Sequence, residues 1–196
     1  MNFLAHLFLT KDDPELTLGN YIADFIKNKD LVLFPEKVVK AIMLHRHIDQ
    51  YTDNHAAVLK ATKVLRASQG KYAPVVLDIF YDYVLSNSWS KYSDVEITEF
   101  HSSMYTILRA QKNILPDHLA IMTDTMIDGN FLSKYSTLDG MRFTFSKIKQ
   151  RAKFPTNFDS AVDDLIASKE IIENSFHEFF PDIIHQVNEY RGFEEI

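Results

Sequence analysis

Turn-forming residues are scarce in this chain: only 5 Gly and 6 Pro are spread over 196 residues. Sandwiches and barrels need a turn signal roughly every 8–12 residues, so a β architecture is disfavoured and long helices are favoured. The punctuation that does occur cuts the chain into helix-sized pieces. It predicts helices over about 2–9, 17–28, 35–52, 54–70, 74–89, 93–110, 116–128, 138–152 and 156–192. Pro35 and Pro74 suit first turns, Asn54 and Thr156 suit N-caps, and Gly70 suits a stop. Pro181 is expected to break or kink the last helix. No hairpin signal, internal repeat or low-complexity linker is visible. The expected fold is all-α: a single-domain helical bundle of about eight to nine helices covering residues 1–196.

Charge narrows the function classes. A net charge of −6 argues against a general nucleic-acid binder. The charge is uneven: residues 1–75 hold 10 Lys+Arg against 8 Asp+Glu, and residues 76–196 hold 11 against 19. The N-terminal part is therefore the expected face for an acidic partner. No apolar stretch approaches 18 residues, so no transmembrane helix or membrane partner is expected. The apolar run Met1–Leu9 lacks a basic start and a small-residue cleavage site, and reads as mature protein rather than a signal peptide. The absence of cysteine excludes a disulfide framework, a Cys-ligated zinc site and a thiol nucleophile, and it fits a reducing compartment, the cytoplasm.

The fifth helix is the most informative. Ten of the thirteen residues from Ala73 to Leu85 are apolar or aromatic, and the only charges are Asp78 and Asp82. Their i,i+4 spacing puts both carboxylates on one face of a helix that should be buried. A buried carboxylate needs a partner or a metal; capping a neighbouring helix or pairing with Lys or Arg is the alternative to ligation. In the third helix, His45 and Asp49 share a face, an imidazole–carboxylate pair that suits zinc, manganese or iron. A solvated stripe of Arg46, Asp49, Gln50 and Asp53 with an internal Arg–Asp pair would look the same. His6 lies among Phe3, Leu4, Leu7 and Leu9, where a core histidine is the ordinary case. Thr17, Asn20, Asp24, Lys27 and Asn28 form a stripe that suits a solvent face as well as a site. Walker-A, Rossmann, nucleophile-elbow and His-Glu-x-x-His patterns are absent. What remains is His and Asp spread over the first 82 residues, a sensible way to build an oxygen-and-nitrogen metal site inside a helical core.

Taken in order, Asn2-Phe3-Leu4-Ala5-His6, Gly19-Asn20 with Ala23-Asp24-Phe25, His45-Arg46 with Ile48-Asp49, Thr52-Asp53-Asn54, and Leu77-Asp78 with Asp82 before Leu85 and Trp89 resemble the bacterial acyl carrier protein phosphodiesterases. The match is dense over residues 1–90 and looser beyond. The resemblance implies an all-helical fold distantly related to the HD phosphohydrolases (HD-domain-like) and a divalent metal, typically manganese, with magnesium or iron as other options. It implies hydrolysis of the 4′-phosphopantetheine arm from a serine of holo-acyl carrier protein, an acidic protein substrate. No His here is followed directly by Asp, so the HD dyad itself is missing.

With this resemblance, His6, Asp24, His45, Asp49, Asp78 and Asp82 become the candidate metal site, with Arg46 as the expected phosphate clamp. Six groups are too many for one ion that keeps open positions, so either two ions bind or some of the six orient the others. Lys27, Lys29, Lys37, Lys40, Lys60, Lys63 and Arg66 would dock the acidic partner. The same ligands would serve a phosphohydrolase of nucleotides or other small phosphoesters, and a non-catalytic module binding an acidic protein would use these polar groups as caps and ion pairs.

Overall fold

The computed structural model describes residues 1–194. Ten α-helices follow one another: α1 (Phe3–Phe8), α2 (Pro14–Ile22), α3 (Glu36–Asn54), α4 (Ala56–Gln69), α5 (Ala73–Asn87), α6 (Ile97–Ala110), α7 (Asp117–Asp128), α8 (Leu138–Lys149), α9 (Ala161–Ala167) and α10 (Lys169–Phe193). Short 3-10 turns join them, and no strand occurs among the described residues. The all-α expectation is met. None of the described helices is long and apolar enough to cross a membrane.

Local chemistry sets many of the boundaries. Asp13 accepts the backbone N–H groups of Glu15 and Leu16 at the start of α2, and Pro14 occupies its first turn. Pro35 precedes α3, and Pro74 lies in the first turn of α5. Gly70 ends α4 at φ +55°, a left-handed position that glycine adopts without strain.

Several boundaries differ from the sequence expectation: the second helix, expected over 17–28, is Pro14–Ile22 followed by 3-10 turns, and the sixth starts at Ile97 rather than at 93. Asn54 closes α3 rather than capping α4; its amide donates to the Gln50 carbonyl, and His55 accepts the Ala57 N–H instead. The last stretch is two helices divided at Ser168, and it starts at Ala161 after a 3-10 turn rather than at Thr156. Pro181 neither ends nor divides α10. Phe176, Phe179, Phe180, Ile183 and Val187 on that helix are all buried. Each such side chain contributes about 1.5–3 kcal/mol, which together outweighs the roughly 3 kcal/mol cost of an interior proline.

The buried apolar residues form one continuous core from Met1 to Val187. Helix α2 lies along α3, α4 along α5, and α10 runs across α3, α4 and α5. The short α1 is held between α2 and α5. The α2–α3 crossing is close because Gly19 has no Cβ: an added one would meet Ala41 Cβ at 2.4 Å and the Val38 carbonyl oxygen at 2.5 Å. Gly19→Ala therefore overpacks two backbones. It is expected to lower stability by about 1–3 kcal/mol, read as a reduced urea midpoint with unchanged m-value.

Candidate metal centre

Helices α1, α2 and α3 bring two histidines face to face. The His6 and His45 rings stack with centroids 4.0 Å apart and planes 18° from parallel. One side chain fixes both. Asn20, from α2, donates its amide N–H to the His6 carbonyl at 3.0 Å, which turns its Oδ1 toward the rings. That oxygen lies 2.9 Å from His6 Nδ1 and 2.9 Å from His45 Nδ1, so both Nδ1 atoms must donate. His45 Nδ1 also reaches the Asn20 carbonyl at 2.9 Å. The proton of each neutral ring is thus pinned at Nδ1, and both Nε2 lone pairs point away from Asn20.

Both lone pairs meet carboxylates. Asp49 Oδ1 is 3.2 Å from His6 Nε2, and its Oδ2 is 3.2 Å from His45 Nε2. Asp24, in the 3-10 turn Ala23–Phe25 just after α2, places Oδ1 3.3 Å from His45 Nε2. Four acceptors therefore converge with no donor between them unless a ring takes a second proton or a cation enters. One ligand atom each from His6, His45 and Asp49 lies within 4.8 Å of the others. This donor set fits a divalent ion of nitrogen and oxygen preference.

The pKa shifts express the same crowding. Burial opposes a charge on His45, but its bonds to Asp24 and Asp49 raise it to about 9. His6, also buried and facing charged His45, is lowered to about 4. Asp49 is driven far below the usual carboxylate range despite its burial, because His45 and His6 both bond to it. Asp24 is lowered chiefly by its bond to His45. One proton on His45 thus stands where a cation would relieve the repulsion.

The other sequence candidates lie around this centre. Asp78, half-buried on α5, binds the Met1 amine at 2.9 Å, and that amine is 4.0 Å from Asp49. Asp82 is fully buried. Its two oxygens accept the backbone N–H groups of Leu4 at 2.7 Å and Ala5 at 3.1 Å. It thereby satisfies the first turn of α1, whose own N-cap, Asn2, makes no side-chain cap bond. Burial pushes its carboxyl up to about 7 against those two bonds. Asp82 thus holds α1, and with it His6, in place. Arg46 makes no ion pair with Asp49; its guanidinium touches Met43 Sδ at 3.5 Å. His47 turns the other way and stacks on Tyr190 of α10.

Asn20 is the group that residue-by-residue reading missed. Its stripe is a solvent face only at one end: Thr17 and Asn20 are buried, whereas Asp24, 66% exposed at its side chain, Lys27 and Asn28 meet water. The adjacent Gly19, which permits the close crossing, was the available signal.

A family model described as acyl carrier protein phosphodiesterase matches residues 1–183. Proteins named acyl carrier protein phosphodiesterase from Salmonella newport (strain SL254) and Salmonella heidelberg (strain SL476) are each 29% identical over 191 residues, covering 95% of this chain and 97% of theirs. No solved structure matches the chain.

Proposed function

The chain belongs to the acyl carrier protein phosphodiesterase family, and from that membership we propose that it hydrolyses the phosphodiester linking 4′-phosphopantetheine to a serine of holo-acyl carrier protein, using one divalent ion, manganese in the first instance. The observation that supports this most is the pair of Nε2 lone pairs and two carboxylates converging with no donor between them. His6, His45, Asp49 and Asp24 are the proposed ligands. Asp78 and Asp82 are positioning groups, the first through the Met1 amine and the second through the start of α1.

When bound, such an ion supplies a water acidified toward neutral pH and neutralises the phosphate oxygens. The chain's own groups do the rest. Asn20 keeps both Nδ1 atoms protonated, so each Nε2 presents its lone pair to the centre. Asp24, at the exposed edge, leaves an approach for the phosphate. Arg46, with no carboxylate bonded to it, receives the non-bridging oxygens. The water oxygen ends on phosphorus, the serine Oγ–P bond breaks, and the proton goes to serine Oγ, giving apo protein. Elemental analysis of protein purified without chelator tests the site: about one equivalent of divalent metal is expected, falling by roughly 10–100-fold in affinity for Asn20→Ala. Metal-free protein that takes up no manganese on dialysis would remove the proposal.

Docking of the acidic carrier is assigned to the basic N-terminal half. Lys37 is tied to Asp13 at 2.6 Å, and Lys40 contacts Glu36 and the Glu194 carbonyl, so Lys60, Lys63 and Arg66 on α4 are better placed to meet a partner. Raising salt to about 0.5 M shortens the Debye length to a few Å. KM for the carrier is expected to rise clearly, and Lys63→Glu to mimic it, with hydrolysis of bis(p-nitrophenyl) phosphate barely changed. Equal salt sensitivity of both substrates would place the salt effect at the metal centre and leave docking unsupported.

A further inference from the structure

A cleft of about 430 Å³ is bounded by the start of α1, which carries His6, the 3-10 turn after α2, which carries Asp24, and by α7, the 3-10 turn Phe131–Ser136 and α8. Its volume falls within the roughly 300–1,000 Å³ of small-molecule sites. The inner wall is aromatic. The Phe3 ring is 5.5 Å from Phe131 and stacks with Phe25 at 6.4 Å. Two residues of this wall neighbour the proposed ligands along the chain. Phe3 precedes His6 by three residues on the same face of α1, about 5 Å along the axis, and Phe25 directly follows Asp24.

Among the described residues no acid lines the cleft, and its neutral polar lining residues are Asn2, Thr125, Tyr135, Thr144 and Gln150. A ligand that suits it is slender and mostly apolar, with amide groups along its length, and joined at one end to a phosphate lying on the cluster. The cationic lining residues are Lys134, Lys147 and Arg151, and Lys134 and Lys147 flank the half-exposed Phe143 ring at 5.7 and 5.2 Å. Residues 131–153 hold six Lys/Arg against the single acid Asp139, within a half of the chain that is otherwise acidic. An acidic protein presenting such a ligand is therefore attracted to this side as well.

We propose that this cleft receives the pantetheine arm of the substrate, with its gem-dimethyl carbons and amides against Phe3, Phe25 and Phe131 and between Thr125 and Thr144. The proposal rests on the phosphodiesterase reading, which supplies the arm. It makes these side chains specificity determinants rather than catalytic residues.

The test is calorimetric titration of the full-length protein with free pantetheine, which carries no phosphate, so the readout does not depend on turnover. Wild type is expected to show saturable one-to-one binding. Thr125→Trp, from the exposed side of α7, and Thr144→Trp, from the opposing α8, are each expected to weaken it by about tenfold or more, with Thr144→Ser within about twofold of wild type. Thermal melts identify which tryptophan variant is folded, and either one suffices. Absence of saturable pantetheine binding to wild type overturns the proposal, as does unchanged binding in a folded tryptophan variant. Decanoate binding in pantetheine's place, lost in the same variants, also overturns it and makes the cleft a fatty-chain site. A protein that binds pantetheine in this way but leaves holo-carrier intact would fail the phosphodiesterase reading alone.

Discussion

His45→Ala is expected to lower kcat for holo-carrier hydrolysis by roughly 10³-fold or more, because it removes a proposed ligand and with it the acidified water. In the metal-free protein the same substitution also removes the protonated ring that separates Asp24 from Asp49, so some loss of stability below pH 9 is expected alongside the kinetic effect. Asp24→Ala should act in the same direction with still less effect on stability, since that side chain is 66% exposed. Asn20→Ala differs in kind. It leaves all four proposed ligands but frees the tautomers and orientation of both rings, so excess manganese should restore much of the lost rate. Steady-state kinetics with metal titrations separate these cases. Near-wild-type turnover of His45→Ala at saturating manganese would reassign the residue to a structural role.

The second large effect is a pH dependence that metal reverses. In the metal-free protein His45 is raised to about 9, from about 6.5 when unfolded. A raised group contributes stability that is fully present below the unfolded value and is lost as pH climbs through the folded one. Between pH 6.5 and 9 the metal-free protein should therefore lose stability on the order of 3 kcal/mol. His6 acts at the other end. Lowered to about 4, it contributes above pH 6.5 and loses that contribution as pH falls from 6.5 to 4. Metal-free stability should peak between pH 6 and 7. A bound divalent ion needs neutral His45, so the stabilisation that manganese confers should grow over pH 6.5–9, where the metal-free protein weakens. Urea midpoints across pH 5–9.5, with chelator and with manganese, read both arms. Parallel curves under the two conditions would show that the ion does not bind at His45.

What the sequence made readable follows from how local each cause is. Pro35, Pro74 and Gly70 act on their own turns, so the helices they start or stop were placed closely. Pro181 acts locally too, but the burial of Phe176, Phe179, Phe180 and Ile183 overrides it, and that burial exists only once α10 lies across the bundle. The His45–Asp49 pairing was visible because i,i+4 is a property of one helix. The stacking of His6 on His45 was not, since it joins α1 to α3. Asn20 is the extreme case: its amide orients two rings on two other helices, and the neighbouring Gly19 marks only the close crossing of α2 and α3, not the rings it brings together. Asp82 was singled out correctly as a buried carboxylate that needs partners. Its partners are backbone N–H groups, which carry no side-chain signature in a sequence.

The central claim, that the His6–His45–Asp49–Asp24 centre hydrolyses the arm from a carrier protein, is tested most directly by intact-mass spectrometry of holo-acyl carrier protein incubated with this protein. With manganese present, the carrier mass should fall to that of the apo protein and free 4′-phosphopantetheine should appear in the same samples; with chelator, or with His45→Ala, the holo mass should persist. A holo mass unchanged in the presence of manganese and metal-loaded protein, alongside turnover of a small phosphoester, would contradict the claim and make the centre that of a small-molecule phosphohydrolase.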